Sequence, residues 1–177
     1  MVVESLLLVC VILFNTPSFQ VIIMDECIRW GYCHMSYING LRNLLGQYFS
    51  FSLKTQSYHW NTKGPHFLED HRFYGELYEN TSEAIDGVAE RLRMLHQNVH
   101  VNLDGLAREN ALGDPVSTFD RRALLEDLLK DQKLLTASIN TVLHEAENNG
   151  DVVTVDFLTD RLSFHDKTSW MLEAMLA

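Results

Sequence analysis

The sequence predicts an all-α protein built as a bundle of four long helices. Three observations carry that prediction. Apolar residues recur at three- and four-residue steps through most of the chain. No segment alternates β-branched residues with a period of two between turns, and the periodic stretches are separated by glycine, proline and asparagine breaks. Four amphipathic helices of roughly 20–30 residues, each with one apolar stripe, solve their burial problem by facing one another.

The first helix reads from Tyr37 onward, with Ile38, Leu41, Leu45, Tyr48, Ser52, Thr55 and His59 on one face, and Gly64-Pro65 breaks it. The second carries its stripe on Tyr74, Tyr78, Ala84/Ile85, Val88, Leu92 and Leu95. After His96 the chain to Pro115 is polar and mixed, with room for one short extra helix around residues 103–112. This connection is long enough to cross the length of the bundle. Ser117, with Asp120 three residues later, resembles a capping box that opens the third helix. Leu125, Leu128, Gln132, Leu135, Ile139, Val142 and Ala146 form its stripe, and Asn149-Gly150 stops it. The last helix carries Leu158, Leu162, His165, Ser169, Leu172 and Leu176.

The 177 residues suffice for one domain with a substantial core. With 24 acidic against 14 basic side chains the formal charge is −10, which disfavours a phosphate backbone as partner and suits either solubility or the concentration of cations. Cys10, Cys27 and Cys33 all lie near the start, so no disulfide framework holds the main body. Residues 1–34 form an atypical N-terminal extension to a domain expected at 35–177. The run from Leu6 to Phe14 is far short of the ~20 residues of a membrane span, and it lacks the basic flank of a secretory signal. A divergent signal, a membrane-associating segment, a helix packed on the domain and upstream sequence before the true start compete. Met24 and Met35 offer internal starts, and Met35 is favoured because amphipathic order begins just after it.

Chemistry concentrates between His59 and Glu90. His59, His71, Asp86 and Glu90 stand out, with Trp60 and Arg91 beside them. Mixed imidazole and carboxylate donors suit iron better than calcium or magnesium. His71 and Asp86 lie within about 60° of one another around the helix but roughly 22 Å apart along it. One chain cannot bring both to one metal, whereas two copies of the second helix, antiparallel across a two-fold axis, can. The bland alternative is a packed histidine and a solvated acidic face beside Arg91 and Arg93.

The run "KTQSYHWNTKGPHF" from Lys54 to Phe67, His71, and "DGVAER" from Asp86 to Arg91 resemble the Dps family of mini-ferritins, as does "GDVVTVDFLTDRLSFHDKTSWMLEAML" at the C-terminus. The resemblance covers approximately Tyr37 to the end. It implies a ferritin-like four-helix subunit in a hollow cytoplasmic shell of twelve. It also implies Fe(II) oxidation to Fe(III), commonly by hydrogen peroxide, at sites between two-fold-related subunits, with storage inside and protection from oxidative damage. Carried over by position, His59, His71 and residue 75 come from one subunit and Asp86 and Glu90 from its partner, with Trp60 packed beside the site. Asp151, Asp156 and Asp160 fall where the family has acidic ion-entry pores, although aspartates there also complement a helix N-terminus.

Position 75 departs from the pattern. The family usually has an aspartate one turn after the second histidine, and this chain has Gly75. Neither Glu76 nor Glu79 replaces it directly. The alternative expectation is therefore a cage with an impaired ferroxidase site and a structural or sequestering role. DNA is a partner of some family members through Lys/Arg-rich tails, and no basic tail supports it here. No membrane partner is expected.

Overall fold

The computed structural model describes residues 17–102, 104–105 and 112–177, with side chains from residue 36 onward. Four helices account for most of it: α1 (Pro17–Asn61), α2 (Phe67–Met94), α3 (Arg121–Asn148) and α4 (Val152–Leu176). No strand occurs among the described residues, and none of their helices is long and apolar enough to cross a membrane. Among the described residues, helical backbone is already present at Pro17, ahead of the face expected from Tyr37. Of the short helix expected around 103–112, Asp104 and Gly105 are helical and Leu112 sits in a non-helical bend; residues 103 and 106–111 lie outside the described residues.

The direction of each helix follows from its contacts. A short link joins α1 to α2, so the two are antiparallel. Gly40 lies against Val142, Lys54 pairs with Asp131 and Tyr58 bonds Asp127, so α3 also runs antiparallel to α1. Helices α2 and α3 therefore point the same way, and the connection between them must travel the length of the bundle. Arg42 bonds Gln97 where that connection begins, and the Val116 amide donates to the Tyr58 hydroxyl near its end. This is the ferritin-type arrangement with one long crossover.

The expected stripes are the buried faces. On α3, Leu125, Leu128, Gln132, Leu135, Ile139, Val142 and Ala146 are all buried, and Ile38, Leu41, Leu45 and Tyr48 of α1 face them in one core. The α3–α4 turn stops as its sequence suggests. Gly150 takes φ 70°, its amide donates to the Glu147 carbonyl, and the Asp151 amide donates to that of Ala146. The start of α3 corrects the expectation of a cap at Ser117. Asp120 is the N-cap, and its own carboxylate accepts the Ala123 amide. The short aspartate read as the distal partner of a box is the cap itself, so the helix begins three residues later.

Two buried polar groups hold the layers in register. Lys54, 1% exposed, places Nζ 3.0 Å from Asp127 and 2.6 Å from Asp131 and donates to the Leu112 carbonyl. The Tyr58 hydroxyl donates to Asp127 at 2.6 Å. Burial pushes the Asp131 carboxyl up to about 6 against the lowering effect of Lys54. Removing Lys54 strands the buried Asp131 carboxylate and leaves Asp127 with the Tyr58 hydroxyl. Lys54→Met is expected to cost about 3–5 kcal/mol in urea unfolding.

Deeper in the bundle, His165 is fully buried. Its Nδ1 lies 2.6 Å from the Gln132 side-chain oxygen, an acceptor, so Nδ1 carries the proton. Nε2 is left to accept from the Tyr48 hydroxyl at 3.0 Å. Burial, reinforced by Arg161, depresses the His165 pKa to about 3. A histidine that resists protonation when folded loses stability as pH falls below its unfolded value of about 6.5, and goes on losing it down towards the folded value. His165→Asn is expected to flatten the decline of stability between pH 6.5 and 4 by up to about 1.4 kcal/mol per pH unit, measured by denaturant titration at each pH.

Candidate metal centre

His59 lies in the last turn of α1, Gly64 turns the chain with φ 99°, and His71 follows in the second turn of α2. The hairpin sets the two histidines side by side. His59 Nδ1 lies 2.7 Å from the His71 backbone carbonyl, and His71 Nδ1 lies 2.8 Å from the His59 carbonyl. A carbonyl only accepts, so both Nδ1 atoms carry protons, and in the neutral rings the lone pair falls to Nε2. That is the tautomer a metal ligand needs.

The imidazole rings stack 3.6 Å apart at 21°, Phe67 stacks on His71 at 5.1 Å, and Tyr78 meets His59 edge-on at 5.3 Å. Both rings are held on two sides. A metal–imidazole bond of about 2.1 Å lies in the plane of its ring. Two nearly parallel planes 3.6 Å apart cannot converge on one ion, so the stack suits two neighbouring ions rather than a single chelated one.

Gly75 is buried under the His59 ring, and a Cβ built on it would stand 3.4 Å from His59 Nδ1 and Cε1, an ordinary contact. The family's carboxylate position thus abuts the imidazole pair but carries no donor. Glu76 and Glu79 are exposed on other parts of the helix. Asp86 and Glu90, also exposed, make no hydrogen bond or ion pair among the described residues. They stand on α2 roughly 22 and 28 Å along the axis from His71. Accordingly, no three His, Cys, Asp or Glu side chains converge on a metal position among the described residues of one chain.

The remaining candidates are dispersed. Trp60 is 70% exposed. Arg91 faces α4, donating to Asp151 at 2.6 Å and to the Thr154 hydroxyl at 2.7 Å. Asp151 is the N-cap of α4 and accepts from the Thr154 amide and hydroxyl. Burial raises its carboxyl, and the bonds from Arg91 and Thr154 outweigh that effect and hold it down at about 2. Its charge is thus occupied inside the subunit, while Asp156 and Asp160 are exposed one turn apart on α4. Phe67 and Tyr78, which hold the imidazoles, were not singled out as site residues from sequence. The four-residue step from Phe67 to His71 was the signal available for the first of them.

A ferritin-like domain model matches residues 38–177. The DNA protection during starvation protein of Helicobacter pylori is 31% identical over 138 residues, covering 77% of this chain and 96% of that relative. The chain belongs to the Dps family of ferritin-like proteins. The crystal structure of a Dps protein from Vibrio cholerae O1, described as a member of a broad superfamily of ferritin-like diiron-carboxylate proteins, matches with a TM-score of 0.79 at 28% identity. That match covers 82% of this chain and 92% of the other. Dps from Thermosynechococcus elongatus matches with a TM-score of 0.81 over 84% and 95% of the two chains. At 21% identity it is a likeness of fold.

Because an added Cβ at Gly75 meets only ordinary contact, Gly75→Ala is expected to raise subunit stability by up to about 1 kcal/mol through helix propensity. Urea unfolding measures it, and a loss instead would mean that the His59 ring cannot yield to the added methyl.

Proposed function

We propose that this Dps-family chain is a cytoplasmic, iron-storing mini-ferritin that assembles as a twelve-subunit shell, oxidises Fe(II) at sites shared across two-fold axes and limits oxidative damage. The observation that carries the reading is the His59–His71 stack, with Nε2 the free nitrogen of each neutral ring and no third ligand beside it among the described residues. Such a half-site calls for donors from a second copy. Asp86 and Glu90, exposed on the same helix and without partners among the described residues, are the residues an antiparallel copy of α2 would offer.

Fe(II) is the substrate. Neutral imidazoles and ionised carboxylates hold it, and an external oxidant takes its electrons. With hydrogen peroxide, two Fe(II) give one electron each, and the peroxide takes two electrons and two protons to become two waters. Asp156 and Asp160 would draw Fe(II) towards an entry pore, with Asp151 kept as a helix cap. DNA is a weak candidate for partner at a formal charge of −10.

Gly75 favours a second reading, a cage whose oxidase site is impaired. Without a carboxylate beside the stack, one ion of the pair lacks a donor. Anaerobic Fe(II) titration of the assembled protein followed by peroxide separates the two readings. One tightly bound iron and one weakly bound iron per site are expected, with binding lost in His59→Ala and Glu90→Ala. Gly75→Asp should speed oxidation, and an unchanged or slower rate would count against the missing carboxylate as the cause. No iron at the site would leave a cage alone.

A further inference from the structure

Helix α2 opens without a side-chain cap: His66 occupies the N-cap position and makes no capping hydrogen bond. His71 lies just beyond this uncapped turn, so its placement depends on what else holds the turn. One restraint is the reciprocal bond with His59. A second is the stack of Phe67 on its ring, and a third is the residue immediately before it. Asp70 is fully buried, and Arg121 donates to both its oxygens, Nε to Oδ2 at 2.8 Å and Nη2 to Oδ1 at 3.1 Å. Arg121 is the first residue of α3, and its Nη1 also reaches the Met175 carbonyl near the end of α4 at 3.4 Å. One guanidinium therefore ties the start of α2 to the start of α3 and the end of α4.

We infer that the Arg121–Asp70 pair is a positioning device for His71 in the iron site, an inference that rests on the metal reading above. A two-pronged guanidinium–carboxylate bond fixes orientation as well as distance. Asp70 is covalently next to His71, so any rotation of the first turn of α2 swings the His71 imidazole. The same rotation moves the His71 carbonyl that holds the His59 tautomer. The pair thus acts on both imidazoles without touching either metal position. Partners that orient a metal ligand typically change affinity by about 10–100-fold when removed.

Co(II) uptake by the assembled protein is the probe, because its visible absorption reports ligand geometry and not only occupancy. Bands that disappear in His59→Ala belong to the site. The double variant Asp70→Leu/Arg121→Leu removes both charges together, so no buried charge is orphaned. It is expected to assemble, to bind Co(II) at least about 10-fold more weakly and to show shifted bands. Arg121→Lys, which keeps the charge pair but loses the fork, should fall between the two. Should the double variant fail to assemble, Arg121→Lys decides the matter alone. Wild-type bands and affinity in the assembled double variant, or in Arg121→Lys when that variant decides, would overturn the inference and leave the metal reading standing. A wild-type protein that takes up no Co(II) at His59 would overturn both.

Discussion

Each of two imidazoles gives its Nδ1 proton to the other's backbone carbonyl, and this exchange between His59 and His71 governs the rest of the site. It sets the tautomer of both neutral rings, since a carbonyl leaves no choice of donor. It also fixes the approach of α1 to α2 at the one end where the link between them is shortest. Phe67, Tyr78 and the bare backbone of Gly75 then close around the rings. Backbone carbonyls and carboxylates both serve metal-binding histidines as acceptors of the second ring N–H, and here the carbonyls also tie each ring to the other helix.

The bundle treats its internal charges differently from the exposed acids of α2. Lys54 is surrounded by Asp127, Asp131 and the Leu112 carbonyl, and Arg91 by Asp151 and Thr154. Asp86 and Glu90 have no such neighbours among the described residues. A buried charge without a partner is costly, and an exposed one is not. The pairing pattern therefore separates side chains that serve the subunit's own stability from those left available at its surface.

Much of the architecture was legible because it is local. The stripe from Leu125 to Ala146 is a three-and-four periodicity that any window of that helix displays, and Gly150 marks its stop through its own φ. Position 75 was legible as a departure because a motif fixes its distance from His71. What escaped depends on partners far away in sequence. Nothing near Lys54 announces that it is buried, because its two aspartates lie on α3. Arg91 looked like a companion of Glu90 until Asp151, 60 residues on, claimed it. The cap at Asp120 escapes for a subtler reason. A cap is defined by where helical dihedrals begin, and a spacing of polar residues alone does not fix that point.

The parallel course of α2 and α3 also ranks the bundle's contacts by chain entropy. The His59–His71 exchange closes across 12 residues and the His165–Gln132 bond across 33, each within one helical hairpin. Tyr58 must find Asp127 across 69 residues, and Tyr48 must find His165 across 117. Closing the longest of these loops costs about 2 kcal/mol more than closing the shortest. The imidazole pair therefore belongs to the part of the molecule that is least expensive to order. The seam between the hairpins is where the crossover's entropy is charged, and there the buried lysine and histidine networks offset it.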